Sequence, residues 1–364
     1  MPYFCIKFYF NMTNENNNPE QPNIGPDEIR AHVNALLTAN RNKKAAKPTG
    51  NLFIAKPVND WMLQASNMPE QKMLFSEFWF EDEVCILFAD TNLGKSILAV
   101  QIGDSISNGQ PIPWFKLQTP PQKVLYFDFE LSKKQFESRY RNEAGEQYAF
   151  NPHFYRIEIN TDAIMPDGQS FEEQLYYSLE RTVLEQQAKV LIIDNLTYLR
   201  NETEKAKDAA PLMKQLKDLK EKYNLSILVL AHTPKRDLSK PITRNDLSGS
   251  KMLINFCDSA FTIGESFKDN NLRYLKQIKQ RNGEQVYTGN NVCLCQVAKP
   301  DKFLQFELIG CGKESEHLKE QTEKDGTELQ RRVFELKQQG LTFRQIAEEL
   351  GIARSTADRL FRKA

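Results

Sequence analysis

Four short runs of the chain are almost uninterruptedly apolar: Cys85–Phe88, the centre of Lys123–Glu130, Val190–Ile193 and Ile227–Ala231. Runs of this length without polar alternation predict strands covered on both faces, as in a parallel sheet. Between them the apolar residues recur at helical spacing. A helix is expected from about Gly94, another over Ser170–Gln187 with Phe171, Leu175, Leu179 and Val183 on one face, and a third over Lys207–Tyr223. Strand and helix in alternation are the order of crossover units. Four later segments, Asp258–Gly264, Leu272–Arg281, Val292–Lys299 and Phe303–Ile309, read as ribbons extending that sheet, and the aromatic-rich stretch Leu52–Phe80 reads as a cover on the core.

The ends differ from this middle. Asn11–Gly25 is dominated by Asn, Pro, Gln and Glu, a composition that buries too little apolar area to offset the entropy of ordering, so it is expected to be disordered. Pro26–Asn40 has the spacing of a short helix, followed by the basic linker NRNKKAAKPTG. The opening MPYFCIKFYF is too short for a secretory leader with its flanks, and Met12 is an alternative start to Met1. Four parts are expected: a loosely ordered segment 1–50, a large domain of alternating strands and helices 51–312, a polar linker 313–325 and a small helical unit 326–364.

Composition narrows the picture only slightly. The 364 residues carry 48 basic and 48 acidic side chains, so any attraction to nucleic acid has to come from local charge. Six cysteines lie scattered, without metal-ligand spacing, as suits buried free thiols in a reducing cytoplasm. Nothing approaches the roughly 20 apolar residues of a membrane span.

The chemistry begins where the first apolar run ends. Ala89-Asp90-Thr91-Asn92-Leu93-Gly94-Lys95-Ser96 follows a strand and opens a helix, the setting in which consecutive backbone N–H groups cradle phosphates. Lys95 would reach the outer phosphates of ATP and Ser96 would hold Mg²⁺, although Ala89 stands where the usual pattern has glycine. Asp194 ends the next central run, where a carboxylate orders the metal. Asp128 and Glu130 lie two apart at a strand end. Either could polarise the attacking water, and Glu130 is nearer the lip where ligands sit. His232 and Thr233 emerge on the same lip, in a position to sense the γ-phosphate. Lys279 and Arg281 end a ribbon without an evident carboxylate partner, and either guard a basic edge or reach a neighbour's nucleotide.

Taken in order, AxxxxGKS, FDFELS, LIIDN, VLAHT and IKQRNG resemble the RecA-like hexameric helicase family typified by plasmid RepA, over roughly Phe80–Gly312. The resemblance implies an α/β fold, a RecA-like P-loop NTPase core with a mostly parallel central sheet. It implies Lys95 and Ser96 as the Walker A pair, Glu130 as the catalytic glutamate, Asp194 as Walker B, His232 as sensor, and Lys279 and Arg281 acting in trans within a homo-oligomer, a ring hexamer being favoured. It also implies that the polar loop after His232, with Lys235, Arg236, Lys240, Arg244 and Lys251, touches single-stranded DNA. An ATP-switched regulator without unwinding activity is the rival reading.

The segment TFRQIAEELGIARSTADRLFRKA is similar to the helix-turn-helix modules of resolvases and many regulators, which implies a small all-α domain that addresses duplex DNA. Thr342 and Gln345 form a capping box, Gly351 makes the turn, and Ile346, Ala347, Leu350, Ile352, Ala357 and Leu360 supply a core. Trihelical units also dock proteins.

Overall fold

The computed structural model describes residues 30, 31, 33–35, 37, 38, 53–164, 168–199, 209–234, 236–247, 251–320 and 323–363. The polar tract Asn11–Gly25, both candidate starts and the basic linker after Asn40 lie outside the described residues; within Pro26–Asn40, those described are helical.

The elements in chain order are α1 (Val58–Ser66), β1 (Met73–Phe75), β2 (Trp79–Phe80), β3 (Val84–Ala89), α2 (Lys95–Asn108), β4 (Val124–Asp128), α3 (Lys133–Arg139), β5 (Phe154–Ile157), α4 (Phe171–Gln186), β6 (Val190–Asp194), α5 (Ala209–Tyr223), β7 (Ser226–His232), α6 (Lys251–Phe256), β8 (Ser259–Glu265), β9 (Leu272–Lys279), β10 (Val292–Ala298), β11 (Gln305–Gly312), α7 (Glu323–Gln338), α8 (Phe343–Leu350) and α9 (Arg354–Lys363). The main sheet has the order β11-β10-β9-β8-β3-β7-β6-β4-β5. From β8 to β5 neighbouring strands are parallel, and β9, β10 and β11 continue as antiparallel ribbons. This is the mixed α/β architecture of a P-loop NTPase core.

The uniform apolarity of the central runs has its cause here. Cys85, Leu87 and Ala89 share one apolar cluster with Leu98, Ile102 and Ile106 of α2, while the alternate residues Val84, Ile86 and Phe88 are equally buried. α5 packs against β3 and β7. Both faces of β3 are thus covered, which leaves the strand ends as its route to solvent.

By contact density the chain divides into two units, Met1–Gln71 with Asn160–Lys189, and Lys72–Ile159 with Val190–Ala364. In the first, α1 has no buried residue, so the expected cover Leu52–Phe80 is only partly realised. Its second half is core, with Leu74, Phe75, Phe78 and Trp79 buried. α4 belongs to this unit and opens with a capping box in which Ser170 accepts from the Glu173 amide.

The expected linker 313–325 also differs. Glu314 is 2% exposed and ion-paired with Lys276, and His317 is buried with Nδ1 2.8 Å from the Ser266 hydroxyl. Residues 313–320 therefore strap the second unit. Their polar composition reads as solvated because the partners on β9 and after β8 are remote in sequence. Beyond them α7, α8 and α9 enclose their own cluster, Val333, Leu336, Ile346 and Ala357, flanked by Leu350, Ile352 and Leu360, and the Thr342–Gln345 capping box is formed. α7 starts at Glu323, inside the segment expected to be linker.

At Gly264 on β8 a Cβ would overlap the ring of Tyr274, its partner on β9. Gly264→Ala is expected to destabilise the protein by about 1–3 kcal/mol through overpacking, read as a lowered urea midpoint; an unchanged midpoint would contradict the close approach.

Candidate functional site

Ala89 ends β3 beside His232 on β7 and Ile263 on β8. It is a buried strand residue, so the missing first glycine costs no left-handed conformation. The loop's turn falls later. Asn92 has φ +65° and Gly94 φ +94°, a region an Asn tolerates and a glycine enters freely. Gly94 is needed for a second reason, since a Cβ there would meet the Phe306 ring at 2.9 Å. Thr91 and Asn92 are exposed at the tip, whereas Leu93 is buried.

Lys95 opens α2 and folds back to the strand end. Its Nζ donates to the carbonyls of Ala89 and Asp90, both at 2.9 Å, and lies 3.3 Å from His232 Nδ1. Burial lowers the Lys95 pKa, opposed by the charges of Asp194, Glu130 and Asp90. An ammonium only donates, so Nδ1 accepts and the ring proton sits on Nε2, 3.4 Å from Glu130 Oε1. The hydrogen bond from His232, aided by the charge of Lys95, keeps the Glu130 carboxyl below its ordinary range.

Asp194, at the end of β6, is 1% exposed. It accepts from Tyr126 Oη at 2.8 Å, and burial raises its pKa to about 6, opposed by the hydroxyls of Ser96 and Tyr126. One hydroxyl and one carboxylate are hard oxygen donors of the kind that share Mg²⁺ with water and phosphate. Asp128 and Glu130 are not the equivalent pair that alternation suggests. β4 ends at Asp128, whose buried carboxylate receives Arg156 Nε at 2.9 Å and caps the amides of Glu130 and Leu131, while Glu130 stands exposed beyond the strand. Asp128 is committed to structure. Glu130 keeps its carboxylate at the open strand end, beside Asn195 and His232.

Sequence reasoning missed Asn195 and Tyr126. Asn195 donates to Glu130 Oε1, lies 3.3 Å from His232 Nε2 and is pinned by the Tyr198 amide on its Oδ1. Its place directly after Asp194 was the signal for it; Tyr126 carries none, because its contact crosses from β4 to β6.

A family model described as AAA domain matches residues 54–237, half of the chain. The chain belongs to the AAA domain family. No curated protein matches it. The match indicates an AAA-type P-loop ATPase domain, and it spans the phosphate loop, Glu130, Asp194 and His232. Among the described residues no helix is long and apolar enough to cross a membrane.

Lys279 and Arg281 lie outside the matched segment and at the opposite lip of the sheet, where β3 begins. Lys279 donates to the carbonyls of Ile254 and Cys257; Arg281 pairs with Asp258 at 3.0 Å. Asp258 is bonded to both backbone groups of Val84, the first residue of β3, so roughly 17 Å of strand separates the pair from the phosphate loop. They do not join this chain's own site, and Asp258 is the carboxylate that the local sequence did not reveal. In the polar loop Lys240 pairs with Asp237, Arg244 is exposed, Lys235 lies outside the described residues, as does the side chain of Lys251, and Arg236 is buried against Asp90.

Asp194 carries a pH signature. Its folded-state value of about 6 exceeds the ordinary 3.8, so the folded state holds the proton more tightly and loses stability as pH rises from about 4 to 6. Asp194→Asn removes that loss. Its advantage over wild type should grow through this window to roughly 2–3 kcal/mol and stay level above it, as Tm measured from pH 4 to 8; a Tm difference independent of pH would refute the assignment.

Proposed function

We propose that this chain is an ATP-hydrolysing, DNA-associated motor, a RepA-like helicase or translocase serving the replication or mobilisation of a plasmid or mobile element. The observation that carries the reading is the convergence of Lys95, His232, Asn195 and Glu130 at the end of β3, with the Ser96 hydroxyl acting on Asp194. Lys95 is a mobile-headed cation on a rigid helix start, ready to exchange backbone carbonyls for β- and γ-phosphate oxygens. The first-turn amides of α2 add their partial charge. Mg²⁺, carried on Ser96 and through water on Asp194, would neutralise charge on the phosphates. Glu130, ionised at neutral pH, accepts a proton from the attacking water, and Asn195 fixes the carboxylate's direction. His232 touches both Lys95 and Glu130 and so senses the outer phosphate.

Lys279 and Arg281 have no reach to this site within one subunit, which supports their action on a neighbour's nucleotide in a closed ring. Exposed Arg244 suits contact with single-stranded DNA. The α7–α9 unit, read as a helix-turn-helix, presents Arg354 and Arg359 on α9, while Arg362 is paired with Asp358. Those exposed arginines also favour the second reading, an ATP-switched DNA-binding regulator.

Lys95→Ala should abolish turnover and Glu130→Gln should lower it ~10²–10⁴-fold with ATP binding retained, in a steady-state ATPase assay with and without single-stranded DNA. Strand displacement by wild type selects the motor; DNA-independent turnover with no displacement selects the regulator; wild-type turnover in Lys95→Ala sinks the site. A mixture of inactive Lys95→Ala and inactive Arg281→Ala subunits should regain ATPase activity, since some interfaces then join an intact loop to an intact arginine. A mixture no better than either parent would place Arg281 elsewhere.

A further inference from the structure

Asp90 puts an acid inside the segment that is to receive a polyanion. Its carboxylate accepts a hydrogen bond from the Thr233 hydroxyl, and Arg236 Nε lies 3.5 Å from its Oδ2. The Arg236 side chain is 5% exposed, so it is withdrawn from the DNA-facing role expected for this loop. Its Nη1 donates to the Lys240 carbonyl at 3.2 Å, and its charge acts on the Tyr274 hydroxyl. A buried guanidinium needs a counter-charge. Glu314, which accepts from the Tyr274 hydroxyl, is already committed to Lys276. Asp90 is therefore the carboxylate that balances Arg236, and Arg236 the cation that balances Asp90.

We propose that Arg236 is a charge-compensating positioning residue of the phosphate loop. By neutralising Asp90 it lets the loop accept phosphate groups, and its bond to the Lys240 carbonyl joins the segment 236–240 to that ion pair. The inference rests on the nucleotide-binding reading above and names a residue outside the Lys95, Glu130 and His232 set.

A double-substitution cycle tests it in the full-length protein, with ADP and Mg²⁺ as the titrated probe and Tm recorded for every variant. Arg236→Gln leaves a bare carboxylate beside the phosphates and should weaken ADP binding on the order of tenfold, less at high salt. Asp90→Asn leaves the Arg236 charge unopposed beside the phosphates and should tighten ADP binding by about threefold or more, again less at high salt. The double variant, with neither charge, should return to within about threefold of wild type, a non-additivity that a merely structural role does not produce. Arg236→Lys keeps the charge without the fork and should stay within about threefold, which supplies the reading if Arg236→Gln does not fold. A double variant as weak as Arg236→Gln, or Arg236→Lys as weak as a full loss of charge, overturns the proposal. Should wild type bind ADP and Lys95→Ala not, that failure belongs to this inference alone; should folded wild type bind no ADP, the nucleotide reading falls with it.

Discussion

A single ammonium group, enclosed where β3 meets α2, sets the terms for everything around it. Burying Lys95 is unfavourable unless its protons find acceptors, and the strand end supplies two carbonyls and an imidazole. That requires β3 to be flanked in parallel by β7, so that Ala89 and His232 arrive side by side. It requires β6 and β4 to end at the same level, so that Asp194 and Glu130 face the same point. The long apolar runs follow, since strands that share one lip have to be covered on both faces.

The opposite lip is organised by acids. Glu83 accepts from the Ser259 hydroxyl, the Phe80 amide and the Asn282 side chain, and burial lifts its pKa to about 7. Asp258 beside it gathers Lys220, Arg281 and the Val84 amide. A cation at each lip thus has its own buried anchorage, and the two are joined through the backbone of β3. Movement of the turn carrying Arg281 has to strain these bonds before it strains the sheet.

Much of this was legible in the chain. Strand positions, the phosphate loop and the placement of Asp194 and His232 follow from apolar runs and the residues at their ends, because both are local. What escaped was non-local. Asp128 and Glu130 look alike in sequence, yet Arg156, reaching over from β5, ties down one of them. The segment 313–320 looks solvated until Lys276 and Ser266 are brought to it. Arg236 resembles any basic loop residue, and only the return of the chain past Asp90 buries it. Ala89 departs from the usual glycine without cost, because it is still a strand residue, which the residue itself does not reveal.

The contact of Phe306 with Gly94 separates the family segment from the folding unit. The matched segment stops at residue 237, but the ring that packs on the phosphate loop comes from β11, whose backbone amide and carbonyl at Phe306 are bonded by Gln101 of α2. β8, on the far side of β3, also lies beyond residue 237. A chain trimmed to the family boundary would turn its phosphate-bearing strand into an open sheet edge, so the smallest autonomous ATPase body here is set by the last ribbon and not by the last motif.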